Sequence, residues 1–255
     1  MKLAASDYDG SLFMRGEVSL GDLKAIEEWR ARGHLFAIAT GRDLNLIRHD
    51  IKTRRIPLDY LICNTGASLY DAGLNLLQAR ELPDQAAVAL LKHPLSAASR
   101  YILFSGSDAT YLNMRAEESW LTSLKLPLTP VSAEEAACLS GLQQIGLEYD
   151  SAEAARRTAR ALNESLKPDM QAHQCGVCVD IVAAGIDKAA GLTALSRLIG
   201  HGDAEILPIG DSENDLPMIR RFGGYAVGGA PEAIKKESRG VYESVGDMLL
   251  AHLDD

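Results

Sequence analysis

The chain has 255 residues, of which 47% are hydrophobic and 24% are charged. These are ordinary values for a globular protein, and the length suits one large α/β domain or a core that carries a smaller insert. The formal net charge of −9 would repel a polyanion, which argues against nucleic acid as a partner. We find no run of about 18 apolar residues and no signal-peptide pattern, so we expect a cytoplasmic protein with no membrane partner.

Short apolar segments near both ends of the sequence are typical of buried strands that alternate with helices. Strands are predicted at residues 2–6, 34–39, 60–63, 205–209 and 225–227. After the first strand, a periodic segment over residues 20–32 predicts a helix that Ser19 caps and Gly33 ends. This alternation indicates a parallel sheet wrapped by helices.

The middle of the chain has a different pattern, which begins near Leu82-Pro83 and ends around residues 185–188. It contains strand-like segments at 100–104, 145–149 and 176–182, and a long helical segment at 151–166. We expect residues 1–80 and 185–255 to form a Rossmann-like core and residues 81–184 to form an inserted α+β domain.

Cys175 and Cys178 have the two-residue gap of a metal-binding or redox pair. If both lie in one strand, their side chains point to opposite faces and cannot hold one ion together. We therefore interpret them as half-buried thiols of a sheet.

The first predicted strand runs into Asp7-Tyr8-Asp9-Gly10-Ser11. Open α/β sheets bind ligands at the edge where the strands end. Two buried carboxylates this close would need a cation or a shared proton to offset their repulsion. A solvated turn explains the same pattern equally well.

The second strand is followed by Thr40-Gly41-Arg42-Asp43 and a periodic segment that predicts a helix. A hydroxyl, a glycine amide and a helix N-terminus together can bind an anion. Capping of the helix by Asp43 is the simpler explanation.

A third polar loop, Gly210-Asp211-Ser212-Glu213-Asn214-Asp215, follows the strand at 205–209. Pro217 indicates that a helix begins near Asp215 and that Asp211 lies in the loop. The loop could be solvated, but its place at the same sheet edge favours a hard-cation site, which suits Mg²⁺.

Lys188 lies where the chain returns from the insert, before a segment with helical periodicity. A surface lysine and a lysine that reaches a phosphate group are both consistent with this position.

With these four segments in order, the sequence resembles the haloacid dehalogenase superfamily of phosphohydrolases, in particular the Cof-like group with a type C2 cap. The motifs that carry the resemblance are Asp7-x-Asp9-Gly10-Ser11, Thr40 in Ala-Thr-Gly-Arg, Lys188, and Gly210-Asp211-x-x-Asn214-Asp215. The resemblance covers the whole chain and implies a Mg²⁺-dependent phosphatase for a small phosphorylated metabolite such as a sugar phosphate. The insert would then be the cap.

The resemblance also implies roles for individual residues. Asp7 is expected to be the nucleophile and Asp9 the general acid and base. The phosphate would be bound by Thr40, Gly41 and Lys188, and the metal by Asp7, Asp9 and Asp211. The remaining candidates are Asn214 and Asp215 as supporting residues, and Arg42 and Asn64 as substrate contacts.

Two positions depart from the family pattern. Many relatives have Asn-Gly-Ala after the third strand, where this chain has Asn64-Thr65-Gly66-Ala67, so Thr65 replaces the usual asparagine. Gly229 stands where relatives often carry asparagine. We expect both departures to affect substrate contacts rather than the catalytic core.

The natural substrate and the oligomeric state are not indicated by the sequence. The arginines that could bind a second anionic group are Arg100, Arg115, Arg156, Arg157 and Arg160. A phosphomutase or phosphotransferase using the same aspartate remains an alternative, as does a phosphate-binding regulator without turnover.

Overall fold

The computed structural model describes the chain except residues 108, 118, 120, 122–125, 127, 167, 201–204 and 255. The backbone contacts divide the chain into two compact units. Unit 1 comprises residues 1–40, 50–78 and 187–255, and unit 2 comprises residues 41–49 and 79–186. Residues 41–49, which we had assigned to the core, thus cluster with unit 2. Within the described residues, no helix is both long enough and apolar enough to span a bilayer.

Unit 1 is built on an eight-stranded sheet. In spatial order its strands are β14 (Val241–Tyr242), β13 (Tyr225–Val227), β12 (Ile206–Gly210), β1 (Leu3–Ser6), β2 (Leu35–Ala39), β3 (Tyr60–Cys63), β4 (Ser68–Asp71) and β5 (Leu76–Ala79). From β14 to β3 all neighbours are parallel, and β4 is antiparallel to β3. The predicted α/β class with a parallel core sheet is therefore confirmed.

Along the chain, these strands alternate with helices that lie wholly or partly within unit 1. They are α1 (Leu20–Ala31), the later part of α2 (Leu44–Arg54), α6 (Lys188–Leu198), α7 (Leu216–Phe222), α8 (Glu232–Glu237) and α9 (Val245–Ala251). As predicted, Ser19 caps α1 by accepting a hydrogen bond from the amide of Asp22 at 3.0 Å. Leu192 and Leu195 of α6 are buried against one face of the sheet, which includes Ala5 of β1.

Unit 2 contains a six-stranded sheet with helices against one face. Its strands, in spatial order, are β10 (Met170–Cys175), β11 (Cys178–Ala183), β9 (Leu142–Glu148), β6 (Tyr101–Gly106), β7 (Thr110–Met114) and β8 (Thr129–Pro130). Its other helices are α3 (Ala86–Lys92), α4 (Ala133–Ala136) and α5 (Ala152–Ser165). In α5 the apolar positions Ala155, Ala159 and Leu162 are buried in the same cluster as Phe104 and Ile145 of the sheet.

Cys175 and Cys178 are half-buried thiols of a sheet, as we interpreted them, but they lie in two strands and not in one. Cys175 ends β10, Cys178 begins β11, and the two residues are direct partners across the antiparallel ladder. Facing residues of a ladder point to the same side of the sheet, because strand alternation does not continue through a turn. The turn depends on Gly176, whose φ is +57°, a conformation that glycine adopts readily.

The arginines of the insert that we had considered for a second anionic group either contact other protein groups or are exposed to solvent. Arg100 pairs with Asp150 at 2.8 Å, and Arg156 pairs with Glu153 at 3.5 Å. Arg115 donates a hydrogen bond to the carbonyl oxygen of Ser96. Arg157 and Arg160 are exposed on α5, as expected for the polar face of an amphipathic helix.

Candidate active site

Three polar segments follow neighbouring strands of the unit 1 sheet. Ser6 of β1 pairs with Ile38 of β2 on one side and with Ile209 of β12 on the other. Asp7 comes one residue after this level, and Thr40 and Asp211 come two residues after it. Because parallel strands end at the same edge of a sheet, the register brings these three residues to one edge.

Lys188 contacts two of the acidic residues at this edge of the sheet. Its ammonium nitrogen donates hydrogen bonds to Oδ1 of Asp7 at 2.5 Å and to Oδ1 of Asp215 at 2.6 Å. Lys188 and Asp215 are 0% exposed and Asp7 is 4% exposed. The surface interpretation of Lys188 is therefore wrong.

The charge of Lys188 is sustained by its two partners. Burial opposes the ammonium form, but attraction by Asp215 and Asp7, together with their hydrogen bonds, raises the pKa of Lys188 above its usual value. A buried lysine would otherwise lose its proton or destabilise the fold. The site therefore holds a fixed positive charge directly beside Asp7.

The loop after β12 is organised around Asp215. Its Oδ2 accepts hydrogen bonds from the amides of Asp211 and Ser212, both at 3.0 Å, and from the Ser212 hydroxyl at 3.1 Å. That hydroxyl also lies 2.5 Å from Oδ1 of Asn214. Asp215 directly precedes α7, where the sequence predicted a helix start. One carboxylate thus orients both the loop and Lys188.

The acidic groups of the site leave a place for a cation. Asp7, Asp211 and Asp215 each offer one carboxylate oxygen, and these oxygens lie within 4.8 Å of one another. Oδ2 of Asp7 is buried, and no donor among the described residues forms a hydrogen bond with it. A buried carboxylate oxygen without a donor carries a large desolvation cost, which a bound cation would offset. The donor set therefore fits a divalent metal that prefers oxygen ligands.

Electrostatics support the same interpretation. Burial, followed by the charges of Asp215 and Asp211, raises the pKa of the Asp7 carboxyl, although Lys188 opposes the shift. Burial and the Asp215 charge likewise raise the pKa of Asp211. Positive charge beyond that of Lys188 would favour the ionised form of both groups.

Two glycines make room for these carboxylates. Gly10 has a φ of +90°, and a Cβ at this position would lie 2.5 Å from Oδ2 of Asp211. A Cβ at Gly210 would lie 2.5 Å from Cγ of Asp215. Any side chain at either position would displace an acid of the site.

The remaining predicted residues of unit 1 take different positions. Asp9 is exposed, in a tight loop in which the Phe13 amide donates to the Tyr8 carbonyl at 2.7 Å. Thr40 is buried, and its amide donates to the Ile62 carbonyl at 2.9 Å. Asn64 follows β3 and is buried, with its Nδ2 donating to Ser68 at 3.0 Å.

Gly41 and Arg42 belong to unit 2, where the segment is held by polar contacts. The Gly41 carbonyl accepts a hydrogen bond from Nε2 of Gln144 at 2.8 Å. Asp43 caps α2, since its Oδ1 accepts from the Leu46 amide at 2.9 Å. The capping interpretation of this segment is thus correct for Asp43.

Besides Ser212, sequence reasoning missed a second hydroxyl that contacts the acids. The hydroxyl of Ser11 donates to Oδ1 of Asp211 at 3.1 Å. Its position directly after Gly10 in the first motif was a signal, but nothing in the local sequence shows that Ser11 meets a loop 200 residues away.

Comparison with known proteins gives matches over most of the chain. The family model described as haloacid dehalogenase-like hydrolase matches residues 4–248. A curated relative, the 5-amino-6-(5-phospho-D-ribitylamino)uracil phosphatase YcsE of Bacillus subtilis (strain 168), is 23% identical over 238 residues, covering 92% of this chain and 87% of the relative.

Solved structures show the same fold. A haloacid dehalogenase-like hydrolase from B. subtilis has a TM-score of 0.85 at 20% identity, covering 99% of this chain and 100% of that one. The sugar phosphatase BT4131, of subclass IIB, has a TM-score of 0.82 at 20% identity, with 98% of both chains covered. The chain therefore belongs to the haloacid dehalogenase-like hydrolase family.

Proposed function

We propose that the protein is a Mg²⁺-dependent phosphatase that acts on a small phosphorylated metabolite, such as a sugar phosphate, through an aspartyl-phosphate on Asp7. The observation that carries this proposal is the state of the Asp7 carboxylate. Its Oδ1 is bound by Lys188 at 2.5 Å, while its buried Oδ2 receives no hydrogen bond from the described residues. An oriented carboxylate with one unengaged oxygen is suited to nucleophilic attack.

The first requirement of the reaction is to overcome repulsion between like charges. A carboxylate 4 Å from a phosphate of charge −1.5 to −2 is repelled by about 6 to 8 kcal/mol at an effective dielectric constant near 20. Lys188 contributes one positive charge in contact with Asp7. A fixed charge placed where negative charge accumulates also stabilises the transition state without reorganisation.

The second requirement is a divalent metal, for which we propose Asp7, Asp9 and Asp211 as ligands. Mg²⁺ prefers oxygen ligands in an octahedral arrangement and retains several waters, so two or three protein ligands suffice. When bound, it would neutralise charge on the phosphate and on the nucleophile. Asp215 lies within the same group of acids, but both its oxygens are already engaged by Lys188 and the loop donors.

Asp9 is proposed as the general acid and base. It lies two residues after Asp7, and its exposure gives it access to a leaving group and to water. As an acid it would protonate the departing alcohol, and as a carboxylate it would then deprotonate the water that attacks the phospho-aspartate.

We propose that the phosphate is bound by Thr40, Gly41 and Lys188. The metal site and Lys188 would be supported by Asn214 and Asp215. The substrate would be contacted by Arg42 and Asn64. We further propose that residues 1–80 and 185–255 act as the catalytic core and that residues 81–184 act as a cap that selects the substrate. We also propose that the protein is cytoplasmic. The choice of substrate class is supported by the two relatives whose names specify phosphatases of phosphorylated ribityl and sugar compounds.

The test is hydrolysis of p-nitrophenyl phosphate and of a panel of sugar phosphates, with Mg²⁺ or with a chelator. We expect release of inorganic phosphate only when Mg²⁺ is present. When the reaction is quenched and reduced with borohydride, the phospho-aspartate should lose its phosphate and residue 7 should be found as homoserine by mass spectrometry. Absence of turnover across the panel with metal supplied would contradict the proposal. Phosphorus NMR of the products separates a phosphatase from a phosphotransferase, which would move the phosphoryl group to another hydroxyl.

A further inference from the structure

The helix that carries Lys188 begins against a short buried turn. Lys188 is the first residue of α6, and Asp187 caps this helix by accepting a hydrogen bond from the Ala190 amide at 2.7 Å. The turn comprises Asn64–Gly66 and directly follows β3. Both the turn and the helix belong to unit 1.

Gly66 allows the turn to approach the start of α6. Its φ is +107°, and a Cβ at this position would lie 2.1 Å from the carbonyl oxygen of Asp187. That carbonyl also accepts a hydrogen bond from the Gly191 amide at 3.0 Å, so it is part of the first helical turn. A side chain at residue 66 would have to push this carbonyl, and with it the adjacent Lys188, away from the turn.

Gly191 makes the same contact from the side of the helix. A Cβ on Gly191 would lie 2.8 Å from Cα of Gly66 and 2.8 Å from Cγ2 of Ile62. Both neighbours lie in or beside the buried β3 segment, so neither can move easily. The helix therefore approaches the turn more closely than any residue other than glycine would allow.

The turn itself has a strained backbone. Asn64 and Thr65 have φ values of 53° and 56°, in a region that is unfavourable for a β-branched residue. Both residues are fully buried. The Thr65 amide donates to the Thr40 carbonyl at 3.1 Å and the Ala67 amide donates to the Asn64 carbonyl at 3.0 Å. Strain of this kind persists where the surroundings require one conformation, often at functional sites.

We propose that the Asn64–Gly66 turn positions the catalytic lysine, and that Gly66 and Gly191 are positioning residues for Lys188. This inference rests on the proposed function, because it concerns the lysine that would neutralise charge at Asp7. The Thr65 departure then lies in the element that sets the position of Lys188, and not only in a substrate contact as the resemblance suggested.

The physical reason is that the hydrogen bonds of Lys188 weaken as the distance between donor and acceptor increases. Its nitrogen contacts Asp7 at 2.5 Å and Asp215 at 2.6 Å. A shift of α6 by about 1 Å would lengthen both bonds beyond the range of a good charge-assisted hydrogen bond. A misplacement of this size can reduce a rate by about 100-fold.

The first experiment compares Gly191→Ala with the matched control Gly21→Ala. Both glycines lie in the early part of a helix, where alanine is normally the better residue. A Cβ at Gly21 meets only the Ser19 hydroxyl, at 3.5 Å. We expect Gly21→Ala to retain wild-type kcat and Gly191→Ala to lose about 100-fold in kcat with a much smaller change in KM.

The second experiment compares Gly66→Ala with Gly33→Ala. Both glycines have positive φ, but a Cβ at Gly33 meets nothing within 4 Å. Both substitutions therefore place an alanine at a positive φ, at +81° for Gly33 and +107° for Gly66, but only Gly66→Ala displaces the helix start. We expect loss of kcat for Gly66→Ala alone, at a temperature where circular dichroism shows all four variants to be folded.

A third measurement does not depend on turnover. Competitive labelling with acetic anhydride, read by mass spectrometry, reports the accessibility and charge of each lysine. Lys188 should be protected in the wild type and in both controls, and labelled faster in Gly191→Ala and Gly66→Ala. Lys188 is the only buried lysine among the described residues. A general loss of stability would instead also speed the labelling of the half-buried Lys2, whose ammonium nitrogen donates a hydrogen bond to the His252 carbonyl at 2.8 Å, far from the turn in sequence.

The outcomes separate the two proposals. If the wild type hydrolyses no phosphate ester, the proposed function fails, and the labelling of Lys188 alone decides the role of the turn. The inference is overturned if folded Gly191→Ala and Gly66→Ala keep kcat and Lys188 protection within about twofold of their controls. It is also overturned if both variants fail to fold while both controls fold, because the contact would then serve folding only.

Discussion

The ammonium nitrogen of Lys188 lies 2.5 Å from Oδ1 of Asp7, although 181 residues separate the two in sequence. Both side chains are buried. Burial of an unpaired charge raises the free energy of the folded state. Each residue offsets this desolvation cost for the other. The pair therefore contributes to the stability of the fold at the place where we propose that the reaction occurs.

Replacement of Asp7 by asparagine should abolish turnover and leave the fold intact. The change removes the charge of the proposed nucleophile but little volume, and Lys188 keeps Asp215 as a partner. Initial rates with p-nitrophenyl phosphate provide the measurement, with Asp71→Asn on β4 as a control outside the site. Residual activity above about 1% of wild type would contradict the assignment of the nucleophile, since loss of a nucleophile typically costs several orders of magnitude.

Replacement of Lys188 by methionine should reduce both activity and stability. It leaves Asp7 and Asp215 buried without their cation, and breaking a buried ion pair in this way typically costs about 3–5 kcal/mol. Urea unfolding without metal measures the loss, and Lys24→Met, at an exposed position of α1, is the control. A free energy of unfolding equal to that of the control would show that the ion pairs contribute no net stability.

Magnesium should stabilise the wild type against heat. A ligand that binds only the folded state adds about 2.7 kcal/mol when its concentration is 100 times its Kd. Thermal unfolding followed with increasing Mg²⁺ should therefore show a rising Tm in the wild type. Asp211→Asn should lose most of this shift, because it removes one acid of the group formed with Asp7. Equal shifts in both proteins would place the metal elsewhere.

Asp43 should stabilise unit 2. Its Oδ2 accepts hydrogen bonds from the hydroxyls of Ser105 and Thr110, both at 2.8 Å, and its Oδ1 caps α2. Asp43→Ala leaves these buried donors without their acceptor, which typically costs about 1–3 kcal/mol. Hydrogen exchange of β6 and β7 should report the loss locally. A double-mutant cycle with Ser105→Ala should give a non-zero coupling energy, and additivity would show that the two side chains act independently.

Thr65→Asn should raise the stability of the protein. Asparagine tolerates the left-handed region better than a β-branched residue does, and the strain at such positions is on the order of 1–3 kcal/mol. We expect a gain of about 1 kcal/mol in urea unfolding. Thr53→Asn, at an exposed helical position, is the control and should change little. A loss of stability would mean that contacts of the threonine side chain outweigh the relief of strain.

The sequence by itself determined the class of fold and indicated the residues that we propose for the function. The strands at 60–63 and 225–227 were predicted with the bounds that the structure shows, because buried parallel strands are short apolar runs between turns. The helix after Ser19 was predicted to within one residue at its end, because caps are local signals. The motifs around Asp7 and Asp211 likewise indicated the haloacid dehalogenase-like family without any coordinates.

Only the tertiary structure decided which of these residues meet. Sequence spacing left Lys188 open between a surface residue and a functional one, and its burial against Asp7 and Asp215 depends on the helix approaching the Asn64–Gly66 turn. The shared face of Cys175 and Cys178 depends on the hairpin register. Patterns within one segment determine local conformation, whereas contacts between distant segments depend on how their backbones pack, which no single segment encodes.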